Sequence, residues 1–166
     1  LAAMVELWTA RAPKFAGRYT RFEDLVFEPK PVQKPHPPIW VGGHSTAALH
    51  RAARVGDTWH PINRAPDELR AGVAQIAKLC QAIGRARPPA LTLRNDVRIL
   101  APGEQPPAPA HGGRVLAGEP AALIEQLAEL REIGVEHLVL EFLAADGRDL
   151  EAQMAGFAER VRPRLA

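Results

Sequence analysis

The sequence predicts an α/β fold with about four strand–helix units around a parallel sheet. Three observations predict it. Short runs rich in Val, Ile, Leu and Trp alternate with longer segments whose apolar residues recur at three- and four-residue spacing. Prolines stand near the starts of two of the longer segments, at Pro66 and Pro120. Glycines stand just past the ends of the same two, at Gly84 and Gly134. Strands that alternate with helices pair in parallel through right-handed crossovers. Four such units make an open half of a (β/α)8 barrel or a small doubly wound sheet. A complete barrel needs roughly 250 residues. The chain has 166, so four units are about half of one. An open half leaves sheet edges exposed, to be covered by an N-terminal half or by a second copy of the chain as a homodimer.

In chain order, residues 1–12 read as the end of a helix, with Met4, Leu7 and Trp8 on one side. The chain opens without a methionine inside that helix, so it is expected to be part of a longer protein. Gly17 to Phe27 alternates aromatic and polar residues, as a short hairpin or extended arm does. Pro29 to Pro38 carries five prolines and reads as an extended connector. Residues 1–37 therefore lead in, residues 38–166 hold the four units, and the whole is expected to be one partial barrel domain. The first strand, Pro38–Gly42, leads to a helix over Ser45–Val55. Strand Asp57–Pro61 leads to helix Pro66–Ile83, with Leu69, Val73, Ile76, Cys80 and Ile83 on one face. Strand Ala90–Leu100 leads, after a loop, to helix Pro120–Ile133, with Leu123, Leu127 and Leu130. Strand Glu136–Leu143 leads to helix Leu150–Val161, with Leu150, Met154, Phe157 and Val161. Each stripe has the spacing of one buried face. The loop Ala101–Ala117, with four prolines and Gly112-Gly113, reads as either a lid or a disordered connection.

Composition narrows the function classes. The net charge is +2 with both signs interspersed, which gives no basic face for nucleic acid. No apolar run is long enough to span a membrane. The single Cys80 lies on a helix stripe and forms no internal disulfide, which points to a reducing, cytoplasmic compartment. The six histidines show no metal-ligand spacing, so no metal site is assigned. No Ser/His/Asp or Cys/His arrangement stands out, and the catalytic residues stay unassigned.

Two places carry candidate chemistry. The first is the turn Gly42-Gly43-His44-Ser45-Thr46, between a strand and a helix. Unpaired N–H groups and the helix dipole favour an anion there, and glycine lets a ligand approach the backbone. The N–H groups of Gly43 to Thr46 and the hydroxyls of Ser45 and Thr46 would hold a phosphate. A tight turn capped by Ser45 explains the same residues equally well. The second is the strand face of Thr92, Arg94, Asp96 and Arg98, with His137, Val139 and Glu141 on the last strand. In a barrel the apolar faces meet the helices and this polar face points into the lumen. Arg94 and His137 read as members of an ion-pair network, or of a face left exposed because half the barrel is absent. Asp96, Arg98 and Glu141 are candidates for the substrate pocket wall. His60 is assigned a structural role, and Trp40 and Trp59 are expected in the core.

The run from Pro29-Lys30-Pro31-Val32-Gln33 through Pro38-Ile39-Trp40-Val41-Gly42-Gly43 resembles the bacterial-luciferase-like oxidoreductases that use FMN or a deazaflavin, coenzyme F-420. Ala52-Ala53-Arg54-Val55-Gly56-Asp57-Thr58-Trp59-His60-Pro61 and Gly134-Val135-Glu136-His137-Leu138-Val139-Leu140 continue the resemblance. It implies the C-terminal half, about four βα units, of a TIM (β/α)8 barrel. It implies monooxygenation by reduced flavin, or deazaflavin hydride transfer, on a small organic substrate. It also implies that the cofactor phosphate is held at Gly42, Gly43, Ser45 and Thr46. Much of the ring pocket, with residues of the early strands, would belong to the other half of the barrel. The competing readings are a non-catalytic α/β phosphate-binding module and a fragment of another phosphate-binding barrel enzyme.

Overall fold

The computed structural model describes residues 1–109 and 112–165. The chain divides into two units, Leu1–Pro38 and Ile39–Ala166. The first holds helix α1 (Ala2–Thr9) and the antiparallel strands β1 (Phe15–Ala16) and β2 (Arg21–Phe22). Helix α1 stops at Thr9, before the expected residue 12. Pro13 has no N–H for the Thr9 carbonyl and disfavours helical geometry at Ala12. The hairpin turns where the Gly17 N–H donates to the Thr20 carbonyl at 2.8 Å. Phe15 faces Phe22 across it, with ring centroids 5.9 Å apart. The proline-rich stretch carries no helix or strand.

The second unit runs β3 (Trp40–Gly42), α2 (Thr46–Val55), β4 (Thr58–His60), α3 (Pro66–Ala82), β5 (Ala90–Ile99), β6 (Leu116–Gly118), α4 (Pro120–Ile133), β7 (Val135–Phe142) and α5 (Gly147–Arg160). A 3-10 turn over Arg162–Arg164 follows. All strand pairs in this sheet are parallel. In a parallel strand, alternate residues turn their N–H and C=O to opposite neighbours. The even positions of β5 face β4: Arg94 N–H donates to the Pro61 carbonyl at 3.1 Å, and its carbonyl accepts from the Asn63 N–H at 2.9 Å. The odd positions face β7, where the Val97 carbonyl accepts from the Leu143 N–H at 2.9 Å. Leu100, an even position, donates to the Gly118 carbonyl at 3.0 Å. Strand β6 thus continues the β4 edge beyond the point where β4 ends.

The main strands therefore lie side by side in chain order: β3, β4, β5, β7. The apolar face of β5 is buried, with Leu91, Leu93, Val97 and Ile99 at 6% exposure or less. Helix residues Leu69, Ile76, Cys80, Leu123, Leu127 and Leu130 are buried as well. Three contacts put the helices on that face: Trp59 against Gly72 of α3, Val41 against Gly56 after α2, and Ile99 against Gly156 of α5. Sequential parallel strands with one covered face are a barrel wall; a doubly wound sheet reverses its strand order and carries helices on both faces. The wall is tied at its ends. The Asp57 carboxylate accepts from the Ile39 N–H at 2.7 Å. The Arg85 guanidinium closes the C-terminus of α2 by donating to the carbonyls of Ala52, Ala53 and Gly56 at 2.7–3.3 Å.

The structure corrects further sequence expectations. The connection 101–117 is not wholly irregular, because β6 begins at Leu116; residues 110 and 111 of that connection lie outside the described residues. Trp40 is not a core residue: it is 45% exposed, whereas Trp59 is 2% exposed. The helix stripes are also narrower than expected, with Val73, Leu150 and Met154 exposed. No helix among the described residues is long and apolar enough to cross a membrane.

Candidate functional site

Strand β3 is three residues long, and its alternation sends Val41 into the core and leaves Trp40 and Gly42 on the other face. The chain then turns through Gly43, whose φ is +89°. Few side chains adopt that backbone, and a Cβ at Gly43 would also sit 3.2 Å from the Ala48 Cβ. Ser45 is the N-cap of α2, and its Oγ accepts from the Ala48 N–H at 3.3 Å. A capping hydroxyl still has its own proton to donate. Gly42 to Thr46 are all exposed. The free N–H groups of the first helical turn, with its positive dipole end, therefore open to solvent next to a glycine with no side chain. The Ser45 cap and an open, glycine-flanked helix N-terminus coexist in one turn.

Behind the turn, the indole Nε1 of Trp59 donates to the Gly43 carbonyl at 2.8 Å. Trp59 lies between Thr58 and His60 on β4 and points to the helix side. Its ring fits only because residue 72 is glycine: a Cβ there would lie 2.1 Å from the ring. Sequence reading placed Trp59 in the core and missed both its bond to the turn and its dependence on Gly72.

The opposite, inner face of the sheet carries a second group. Strand register sets Gly42 beside His60 and Thr92 beside His137. His60 Nδ1 lies 2.7 Å from Thr92 Oγ1 in a hydrogen bond. The Thr92 hydroxyl also lies 3.4 Å from the Trp59 carbonyl, and the donor in the His60–Thr92 bond is set by the His60 tautomer. The Trp40 ring lies 4.9 Å from that of His60 and 5.6 Å from that of His137. Burial holds the His60 pKa below its ordinary value, with His137 and Arg94 adding charge repulsion. Trp40, His60 and His137 form an aromatic and imidazole patch that sequence reading treated as separate residues. The alternation in β3 and β4, had it been followed into these short strands, points to it.

Of the candidate pocket residues, Glu141 forms an ion pair with Arg94 and is the most open of the three. Asp96 is fully buried: its carboxylate accepts from Asn63 Nδ2 at 2.9 Å, and its N–H donates to Asn63 Oδ1 at 2.8 Å. Arg98 donates to Glu104 at 2.6 Å, to Asp149 at 2.8 Å and to the Leu143 carbonyl at 2.8 Å. A backbone N–H, from Ala101 and Ala145 respectively, and then Arg98 lower the pKa values of Glu104 and Asp149. Arg98 thereby binds the turn after β5 to the start of α5. Asp96 and Glu141 are register partners across β5 and β7, whereas Arg98 pairs with Glu104 and Asp149 at the strand end. An apolar cleft lined by Leu127, Leu130, Leu138 and Leu165 opens beside β7 and contains no residue of the glycine turn. No group of three His, Cys, Asp or Glu among the described residues is placed to hold a metal ion.

Comparison with known proteins shows what the chain is similar to. The chain is 36% identical over 86 residues to an FMNH2-dependent dimethylsulfone monooxygenase of Pseudomonas putida, covering 52% of this chain and 24% of that protein. It is 23% identical over 201 residues to an enzyme of the same name from Pseudomonas fluorescens (strain Pf0-1), covering 95% of this chain and 53% of that protein. The structure of an F420-dependent secondary alcohol dehydrogenase in complex with an F420–acetone adduct superposes with a TM-score of 0.76 at 15% identity, covering 98% of this chain and 59% of the other. The chain thus spans less than two thirds of each of these proteins, as half of a barrel does. The family model described as luciferase-like monooxygenase matches residues 1–103, which include the proline connector, the glycine turn and Trp59, and the chain belongs to that family.

Proposed function

We propose that this chain supplies the cofactor phosphate-binding turn of a flavin- or deazaflavin-dependent oxidoreductase, acting on a small organic substrate as a monooxygenase or a hydride-transfer enzyme. The cofactor in this reading is FMN or coenzyme F-420, the two that the names of its relatives specify. One observation carries it: the left-handed Gly43 immediately before a helix whose first turn is exposed. Gly42 and Gly43 keep the approach clear. The N–H groups of His44 and Thr46 and the hydroxyls of Ser45 and Thr46 would donate to the phosphate oxygens. When bound, the reduced ring supplies the electrons for oxygen activation or for hydride transfer.

The chain's own residues then position and enclose. Glu141, paired with Arg94, is the accessible polar group of the substrate pocket wall. Asp96 and Arg98 hold that wall in place through Asn63, Glu104 and Asp149. In this reading residues 1–166 belong to one partial barrel domain, whose open edges are covered by further strands or by a second copy of the chain. Replacing Gly43 tests the site. In the intact protein Gly43→Val forces a β-branched residue into a left-handed backbone at a cost of about 1–2 kcal/mol and fills the cradle. Loss of cofactor on gel filtration, read by the absorption spectrum of the protein peak, is the expected outcome. Retention equal to that of the parent protein contradicts the site.

A further inference from the structure

We infer that Trp59 is a positioning residue for the phosphate turn, acting through the peptide plane between Gly43 and His44. The inference rests on the phosphate reading of that turn and adds the device that orients it. The Trp59 indole donates to the Gly43 carbonyl at 2.8 Å. The peptide that follows is trans, since among the described residues the cis bonds lie at Glu28-Pro29 and Lys34-Pro35. In a trans peptide the C=O and the next N–H point in opposite directions. Holding the Gly43 carbonyl toward a buried ring therefore turns the His44 N–H away from it, toward the open side of the turn where an anion would lie. A glycine at φ +89° does not hold that plane by itself, because glycine is free to adopt many backbone states. The indole removes the freedom that the glycine introduces.

The ring is itself fixed. Trp59 is 2% exposed, and Gly72 of α3 forms the slot that receives it, with no room for even a methyl group. The bond runs from β4 to the turn that follows its parallel neighbour β3, so β4 and α3 reach the turn through one side chain. This gives Trp59 a role that its burial alone does not explain: a phenylalanine would fill the core but has no N–H to donate there.

The test compares a cofactor with its phosphate-free counterpart. FMN against riboflavin, both reduced and titrated anaerobically by calorimetry, gives the preference contributed by the phosphate; coenzyme F-420 against its phosphate-free deazaflavin core serves the same purpose. In the intact protein Trp59→Phe is expected to lower that preference roughly tenfold, the factor that corresponds to one hydrogen bond to a charged group, with riboflavin affinity unchanged. Should the smaller ring destabilise the fold in thermal melting, Trp59→β-(3-benzothienyl)alanine keeps the bicyclic shape and lacks only the N–H, and the same loss is expected. A purely structural role for Trp59 would weaken both ligands alike, and that result overturns the inference, as does an unchanged preference in the benzothienyl variant. Gly43→Val separates the two claims. If it abolishes the preference while both Trp59 variants keep it, the anchor is wrong and the phosphate turn stands. If it too leaves the preference intact, the phosphate turn is wrong and the anchor falls with it.

Discussion

At the scale of single residues, His60 is the titratable group whose environment is most informative. Burial, then His137, then Arg94 hold its pKa below 6.5, so it is uncharged at neutral pH and serves as a hydrogen-bonding and aromatic surface beside Trp40. A histidine with a depressed folded-state pKa stabilises the fold above its unfolded value. That contribution fades as the pH drops below 6.5 toward the folded pKa. His137→Gln removes the stronger of the two charges that repel its protonated form. The His60 ring titration, followed by NMR, is expected to move up toward the ordinary histidine value; a midpoint that does not move contradicts the proximity account. Single residues were unevenly legible. Gly43 and Ser45 stand out in the sequence because a left-handed turn and a helix cap each demand particular side chains. Trp40 does not, because large aromatics are buried so often that its three-residue strand gave no contrary signal, and only the burial of its neighbour Val41 reveals its direction.

Among the elements, the join between β4 and α3 is the tightest. Gly72 lies in the interior of α3, where alanine would gain about 1 kcal/mol of helix propensity. The Trp59 ring occupies the place of the missing methyl, at 2.1 Å. Overpacking costs about 1–3 kcal/mol, and so close a clash belongs at the upper end. Gly72→Ala is therefore expected to destabilise the chain by about 2 kcal/mol net, read from chemical unfolding midpoints; a variant of equal or higher stability would show that the ring has another place to go. Helix α4 has the bounds that its sequence predicts, and α2 and α3 start or stop within one residue of theirs, because Ser45, Pro66, Pro120 and Gly134 mark them chemically. Helix α5 starts three residues early, at Gly147, because Asp146 caps it by accepting from the Asp149 N–H at 2.9 Å. Strand β6 escaped notice, since three residues ending in glycine carry no readable period. Its position depends instead on long-range pairing with Val97, Arg98 and Ile99.

For the whole molecule, the distinction between a barrel wall and a doubly wound sheet depends on which faces are covered. The polar face of β5 and β7 carried that information in the sequence, because a sheet covered on both sides would be apolar on both. The covered apolar face and the chain-order strands agree with it, and so does membership in the luciferase-like family. What the polar face does was not legible. Its Arg, Asp and Glu residues make the same pattern whether they line a pocket or pair with one another, and the choice depends on distances such as those from Arg98 to Glu104 and Asp149. The central claim concerns the turn at the end of β3, and its most direct test follows the backbone amides of the intact protein by NMR. On adding FMN or coenzyme F-420, the resonances of His44, Ser45 and Thr46 are expected to shift, and the phosphate-free counterpart is expected to leave them in place. Cofactor binding that leaves these three amides unmoved would contradict the assignment of the turn.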